Sequence, residues 1–316
     1  MAVLLFSMVC GVYIFSICTT QMAYFRDSNL LKLKQIQKQC PASGIEISET
    51  AYLHFPEPKT FSRQECACNP VKFFAIISMQ RSGSGWFETL LNSHENVSSN
   101  GEIFGARDRR RNLSVIYGIM DKVYNLDWYS SASKNECSAA VGFKWMLNQG
   151  LTEYHEGIAE YFKKRGVHAI YLFRRNHLRR MISLIANVYD KDAKLLNGTH
   201  KSHVHSPQEA QVLASYKPSI NTTRLVPNLK KEEQTTARAL EYFKTTRHIV
   251  LYYEDVVRNH TKLIDVQDFL KLPHRNLSSH QVKIHSGSLS TQIKNGEDVQ
   301  RALKGTPYER FLNSDY

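Results

Sequence analysis

The sequence predicts a three-layer α/β fold with a central, mainly parallel sheet, preceded by one N-terminal transmembrane helix. Three observations predict it. From Val71 onward, short apolar runs alternate with amphipathic stretches of helical length. The first of those runs passes directly into a Gly/Ser-rich loop. Ahead of both lies an uncharged apolar stretch from Ala2 to Phe25, about the ~20 residues a bilayer-spanning helix requires.

The strands are expected at 73–78 (FFAIIS), 139–145 (AAVGFKW), 167–173 (VHAIYLF) and 248–253 (HIVLYY). Helices are expected at 86–92, 154–166, 178–189, 230–243 and 263–270. Strands separated by helices of this length imply a parallel sheet covered on both faces, with ligands bound at the carboxyl ends of the strands. The segment 191–228 breaks the pattern. It holds His200, His203, His205, Pro207, Pro218 and two glycosylation sequons, and reads as a surface insertion of solvated histidines.

Residues 1–25 read as an uncleaved signal anchor, because no small-x-small cleavage site follows; a cleaved signal peptide is the alternative. Residues 26–70, polar and interrupted by Pro41, Pro56, Pro58 and Pro70, read as a stem, and 71–316 as the folded body. Arg26, Lys32, Lys34 and Lys38 follow the span, which by the positive-inside rule favours a cytosolic body. Six Asn-x-Ser/Thr sequons, at Asn96, Asn112, Asn197, Asn221, Asn259 and Asn276, favour a lumenal one, and the expectation follows them. In that compartment Cys40, Cys66, Cys68 and Cys137 permit two disulfides with three connectivities, among which the sequence does not choose. Cys66-x-Cys68 is too closely spaced for a usual zinc pair.

At 316 residues and 42% hydrophobic content the chain can build one well-cored domain, and its net charge of +12 favours anionic partners. The basic residues are scattered rather than interleaved with aromatics along one face, which speaks against nucleic acid.

The chemistry concentrates in the loop Gln80-Arg81-Ser82-Gly83-Ser84-Gly85-Trp86 after the first strand. Gly83 and Gly85 allow a tight turn and close backbone approach to a bulky anion. The helix beginning near Ser84 offers unpaired N–H groups and a partial positive charge. Arg81 adds a forked, permanently charged donor. A Walker A loop would end in Gly-Lys-Ser/Thr, but here Trp86 and Phe87 follow the last glycine, which argues against an ATPase or ordinary kinase.

This loop resembles the 5′-phosphosulfate-binding loop of PAPS-dependent sulfotransferases, in particular the carbohydrate and NodH-like branch of that P-loop-like fold. Farther on, Arg175 ends an apolar strand and Ser183 follows eight residues later in a helix, similar to the family's pair for the 3′-phosphate of the donor. Asn100-Gly-Glu102-Ile-Phe104, Val141-Gly-Phe-Lys144 and the tail from Lys283 resemble further elements of the branch. Gly85 departs from it, since many relatives carry Ser or Thr there, and so does the His-rich insertion.

The resemblance implies sulfuryl transfer from PAPS to an acceptor hydroxyl, with PAP as the leaving product and no metal required. It implies a carbohydrate acceptor and a Golgi membrane protein of type II orientation with a lumenal catalytic body. Arg81, Ser82, Gly83, Ser84, Gly85, Trp86, Arg175 and Ser183 would hold the donor, with Arg81, Glu102 and Lys144 catalytic. Glu102 is the expected general base, with His94 as the alternative. Lys144, rising from a buried strand, is expected to face an anion, either the transferred sulfuryl group or the acceptor. Two rival readings remain: a P-loop kinase or nucleotidase, and a non-catalytic lumenal glycan-binding protein.

Overall fold

The computed structural model describes residues 47–130, 132–134 and 137–313. The predicted transmembrane helix and Cys40 lie outside the described residues. Among the described residues no helix is long and apolar enough to cross a membrane.

Five strands form one parallel sheet: β1 (Lys72–Ser78), β2 (Val97–Ser99), β3 (Ala140–Met146), β4 (Val167–Phe173) and β5 (His248–Tyr252), in the order β2-β3-β1-β4-β5. β1 lies at the centre, with Ser78 opposite Met146 of β3 on one side and Leu172 of β4 on the other. Every residue of β1, β3 and β4 is buried, which is why these strands read as unbroken apolar runs.

Alternate residues of β1 supply the two faces. Phe73, Ala75 and Ile77 pack with Phe143, Trp145 and the helices α2 (Leu113–Tyr124), α3 (His155–Lys164) and α6 (Thr222–Tyr242). Phe74 and Ile76 pack with Ile170, Leu172 and the helices α1 (Ser84–Asn92) and α8 (Thr261–Phe269). Burying one such phenylalanine stabilises the fold by roughly 1.5–3 kcal/mol. The remaining helices are α4 (His177–Ala193), α5 (Pro207–Ala214), α7 (Tyr253–Arg258) and α9 (Gly296–Leu303).

Within the stretch read as a stem, residues from Ile47 lie against the sheet. Glu49 pairs with Lys72 (3.3 Å) and Arg247 (2.8 Å), and His54 stacks on Phe73. Cys66 is bridged to Cys137, and Cys68 is disulfide-bonded too.

The segment 191–228 is not a plain surface insertion. It contains α5 and the first turns of α6. The Asn221 side chain accepts from the Arg224 N–H (3.2 Å) and starts α6, and Pro227 lies inside the helix, where it cannot donate to the Thr223 carbonyl one turn back. A backbone bridge between Val204 and Val282 ties the segment to the C-terminal stretch.

Candidate active site

At the carboxyl ends of β1, β3 and β4, where the strand order reverses, lies a cleft of about 760 Å³. The loop after β1 forms its floor, and three anchors fix its course. The Ser78 hydroxyl donates to the Leu172 carbonyl (2.6 Å), Arg180 donates to the Gln80 carbonyl (2.7 Å), and the Gln80 amide donates to the Asn148 side chain (2.7 Å). Gly83 has a φ of 85°, and a Cβ there would strike the Tyr253 ring. Gly85 is covered by the His203 imidazole, which would meet any Cβ at that position. The first N–H groups of α1 have no intrahelical acceptor and open an anion site at the cleft floor.

Arg81 sits at φ 65°, a left-handed conformation that costs a non-glycine residue free energy. Its guanidinium is held from three directions: by the Ser183 hydroxyl (2.9 Å), the Asn187 amide oxygen (3.4 Å) and the Ser202 carbonyl (2.6 Å). Burial first, and then Arg174, lower its pKa to about 10, so it stays charged at neutral pH.

Gly83, Ser84, Gly85, Trp86 and Ser183 line the cleft. Ser82 does not; its hydroxyl is buried behind the loop without a hydrogen-bond partner. Arg175 does not either, and this corrects the expectation. Its guanidinium forks onto Asp255 and lies over the Tyr252 ring, beside a separate hollow of about 560 Å³. The cause is Glu254, a buried carboxylate that accepts from the backbone N–H groups of Arg175 (3.1 Å) and Asn176 (3.2 Å). Those bonds fix the turn between β4 and α4 so that Arg174, not Arg175, lines this cleft.

Glu102 and Lys144 line the same cleft. Two carboxylates hold the Lys144 ammonium: Glu88 at 3.1 Å and Glu102 at 3.5 Å. Its anionic partners are therefore protein groups, where the sequence suggested substrate. Glu88 is itself buried and accepts from the Ser99 hydroxyl (2.7 Å) and the Gly101 N–H (2.9 Å). Glu102 also accepts from the Gln149 amide (2.9 Å) yet keeps a partly exposed side chain, which suits a base that must meet an acceptor. His94, the alternative base, is buried away from the cleft. Its Nδ1 accepts from the Asn96 N–H (3.1 Å), which leaves Nε2–H to donate to the Pro273 carbonyl (3.1 Å).

Five further residues line the cleft that the sequence does not assign to it: Arg174, Tyr253, His203, Lys283 and His285. Burial first, then Arg81, push the pKa of His285 down to about 4. Packing of the His203 ring, then Arg81 and Lys144, lower its pKa as well. Both rings are neutral at pH 7. Among the described residues no group of three or more His, Cys, Asp or Glu side chains could hold a metal ion.

No family model matches the chain. It is 24% identical over 251 residues to nodulation protein H of Rhizobium meliloti, a match covering 77% of this chain and 96% of that protein. It is equally 24% identical over 252 residues to nodulation protein H of Rhizobium tropici, covering 77% and 93%. Similar solved structures include the sulfotransferase domain from the curacin biosynthetic pathway, with a TM-score of 0.35 and 16% identity over 76% of this chain and 88% of that one. A sulfotransferase from Alicyclobacillus acidocaldarius has a TM-score of 0.37 and 12% identity over 73% and 92%.

Proposed function

We propose that this chain, a sulfotransferase of the NodH-like family, moves a sulfuryl group from PAPS to a carbohydrate hydroxyl. The observation that carries the reading is a single cleft lined by Arg81, the α1 N-terminus and the Glu102–Lys144 pair. An anion-gripping floor and a carboxylate base are the two halves a sulfuryl transfer needs.

Arg81, with the loop N–H groups, grips the phosphosulfate and stabilises the charge that builds on the bridging oxygen. Arg174, Ser183 and Lys283 lie along the same cleft and suit the remaining phosphate. The acceptor oxygen forms its bond to sulfur as the bond from sulfur to the bridging oxygen breaks; that electron pair leaves on PAP. Glu102 takes the hydroxyl proton. Lys144 orients Glu102 through their 3.5 Å pair.

A lumenal setting, with a membrane-anchored type II arrangement in the Golgi, belongs to the same proposal. The sequon residues Asn112, Asn197, Asn221, Asn259 and Asn276 are exposed, and the Cys66–Cys137 bridge suits an oxidising compartment.

The test is calorimetry with PAP followed by labelled PAPS, set against ATP, in the presence of a panel of glycans. PAP binding and PAPS-dependent label on a glycan are expected. Label from ATP, or no affinity for PAP, would overturn the reading.

A further inference from the structure

Three side chains that the proposed transfer leaves unused form a hydrogen-bonded chain ending at the cleft. α4 closes at Ala193, where Lys194 takes a φ of 47° and its N–H donates to the Asp190 carbonyl (2.8 Å). Asn197 and Gly198 then turn the backbone at φ 50° and 77°, and the Thr199 N–H donates to the Leu196 carbonyl (2.9 Å). Asn-Gly is the pair such a turn prefers, because both of its central residues need φ above zero. The turn returns His200 to Asp190, ten positions back along the chain.

Asp190 is buried, and one of its carboxylate oxygens accepts from the Leu195 N–H (2.9 Å). The other lies 2.6 Å from Nδ1 of His200. A carboxylate only accepts, so Nδ1 carries the proton and Nε2 keeps its lone pair. That lone pair faces the Ser202 hydroxyl at 3.3 Å. Ser202 is half-buried and lines the cleft, and its backbone carbonyl accepts from Arg81 (2.6 Å). Carboxylate, imidazole and hydroxyl in this order turn a serine into a nucleophile. The imidazole takes the proton, and the buried carboxylate holds its tautomer and stabilises the imidazolium that forms.

We propose that Ser202 takes the sulfuryl group onto its own hydroxyl when no acceptor fills the cleft, which makes it a site of self-sulfation. The inference rests on PAPS being the donor that Arg81 grips. The guanidinium proposed to hold the phosphosulfate is also bonded to the Ser202 backbone, so nucleophile and donor share one anchor. The Ser202 oxygen forms its bond to sulfur as the bond from sulfur to the bridging oxygen breaks. That electron pair leaves on PAP, and the hydroxyl proton passes to Nε2 of His200 and from its partly exposed ring to water. The products are PAP and a serine sulfate ester.

The test incubates the full chain with PAPS alone, localises the modification by mass spectrometry of its peptides and follows the rate with labelled PAPS. A single sulfuryl group on the peptide carrying Ser202 is expected, and Ser202→Ala should lose it. His200→Gln keeps the serine and should slow the labelling about 10²–10⁴-fold, the usual effect of removing a positioned base. His205→Ala, at an exposed position of the same segment outside the cleft, should label at the parent rate. Label confined to other residues, or undiminished labelling in His200→Gln, would overturn the proposal. PAP calorimetry on the same preparation tells the two readings apart. PAP bound with Ser202 unmodified sinks self-sulfation alone, whereas no affinity for PAP sinks the donor reading and self-sulfation with it.

Discussion

Arg81 donates through Nε to the hydroxyl of Ser183 at 2.9 Å, joining the loop after β1 to the middle of α4 across 102 positions of sequence. The bond means that the loop after β1 and the segment from Arg175 to Ser183, the two motifs proposed to hold the donor, are one assembly. Arg81→Ala should therefore lower kcat about 10²–10³-fold, the usual consequence of losing one preorganised donor. Arg81→Lys should recover only part of it, because a single ammonium cannot serve Ser183, Asn187 and Ser202 together. Steady-state turnover with saturating PAPS decides; near-normal kcat in the alanine variant would count against the mechanism.

Glu102→Gln keeps the size of the side chain and its bond to Gln149 but removes the base. Turnover should fall about 10²–10⁴-fold, while PAP affinity changes little, since the carboxylate is assigned to the acceptor proton and not to the donor phosphates. Single-turnover kinetics and PAP calorimetry on the same preparation separate the two effects.

Adjacent arginines should behave oppositely. Arg174→Ala should weaken PAP binding by tenfold or more, the scale of one charge-assisted contact in a partly buried site. Arg175→Ala should leave PAP affinity within about twofold, because its charge is committed to Asp255 outside the cleft. A reversal of this order would restore the eight-residue Arg175–Ser183 pairing that the sequence suggested.

That reversal of roles shows where sequence reading reaches its limit. β1, β3 and β4 are legible because a parallel sheet covered on both faces leaves continuous apolar runs, and β5, a partly exposed edge strand, because His-Ile-Val-Leu-Tyr is itself apolar and rich in β-formers. β2 is three residues, Val-Ser-Ser, too short for any period to register. α2 lies outside the predicted elements although Ile116, Met120, Val123 and Tyr124 form a stripe at helical spacing. The loop from Gln80 to Trp86 announces its chemistry through local composition. Arg174 and Arg175 are chemically identical neighbours, and only a carboxylate from α7, Glu254, decides which one enters the cleft. Likewise, nothing local in His203 tells that a bridge between Val204 and Val282 lays its ring on Gly85.

Acid should loosen the body well above the carboxylate range. His168 is fully buried and donates through Nδ1 to the Phe73 carbonyl (3.1 Å); burial first, then Arg247, push its pKa down to about 3. Above about pH 6.5 neither the folded nor the unfolded chain protonates this ring, and its contribution to stability is complete. As pH falls below that value only the unfolded chain takes up the proton, so stability declines by up to about 1.4 kcal/mol per pH unit, until the folded ring titrates near 3. Urea midpoints should drop between pH 7 and pH 5, and His168→Phe should show a shallower drop. Identical pH slopes for the two proteins would remove His168 from the account.

Gly85 and His203 should be energetically coupled. Any side chain at position 85 must displace the imidazole that covers it, and with it the neighbouring Ser202 carbonyl that holds Arg81. Gly85→Ala should raise KM for PAPS several-fold through a loosened Arg81. His203→Ala alone should have a smaller effect, because it removes the cover without pushing Ser202 aside. The double variant should then be better than Gly85→Ala, with a coupling energy within the ~0.5–3 kcal/mol found for residues in contact. Strictly additive losses would mean that the ring and the loop do not meet in solution. The departure from Ser or Thr at position 85 would then need a cause other than the His-rich segment folding over the donor loop.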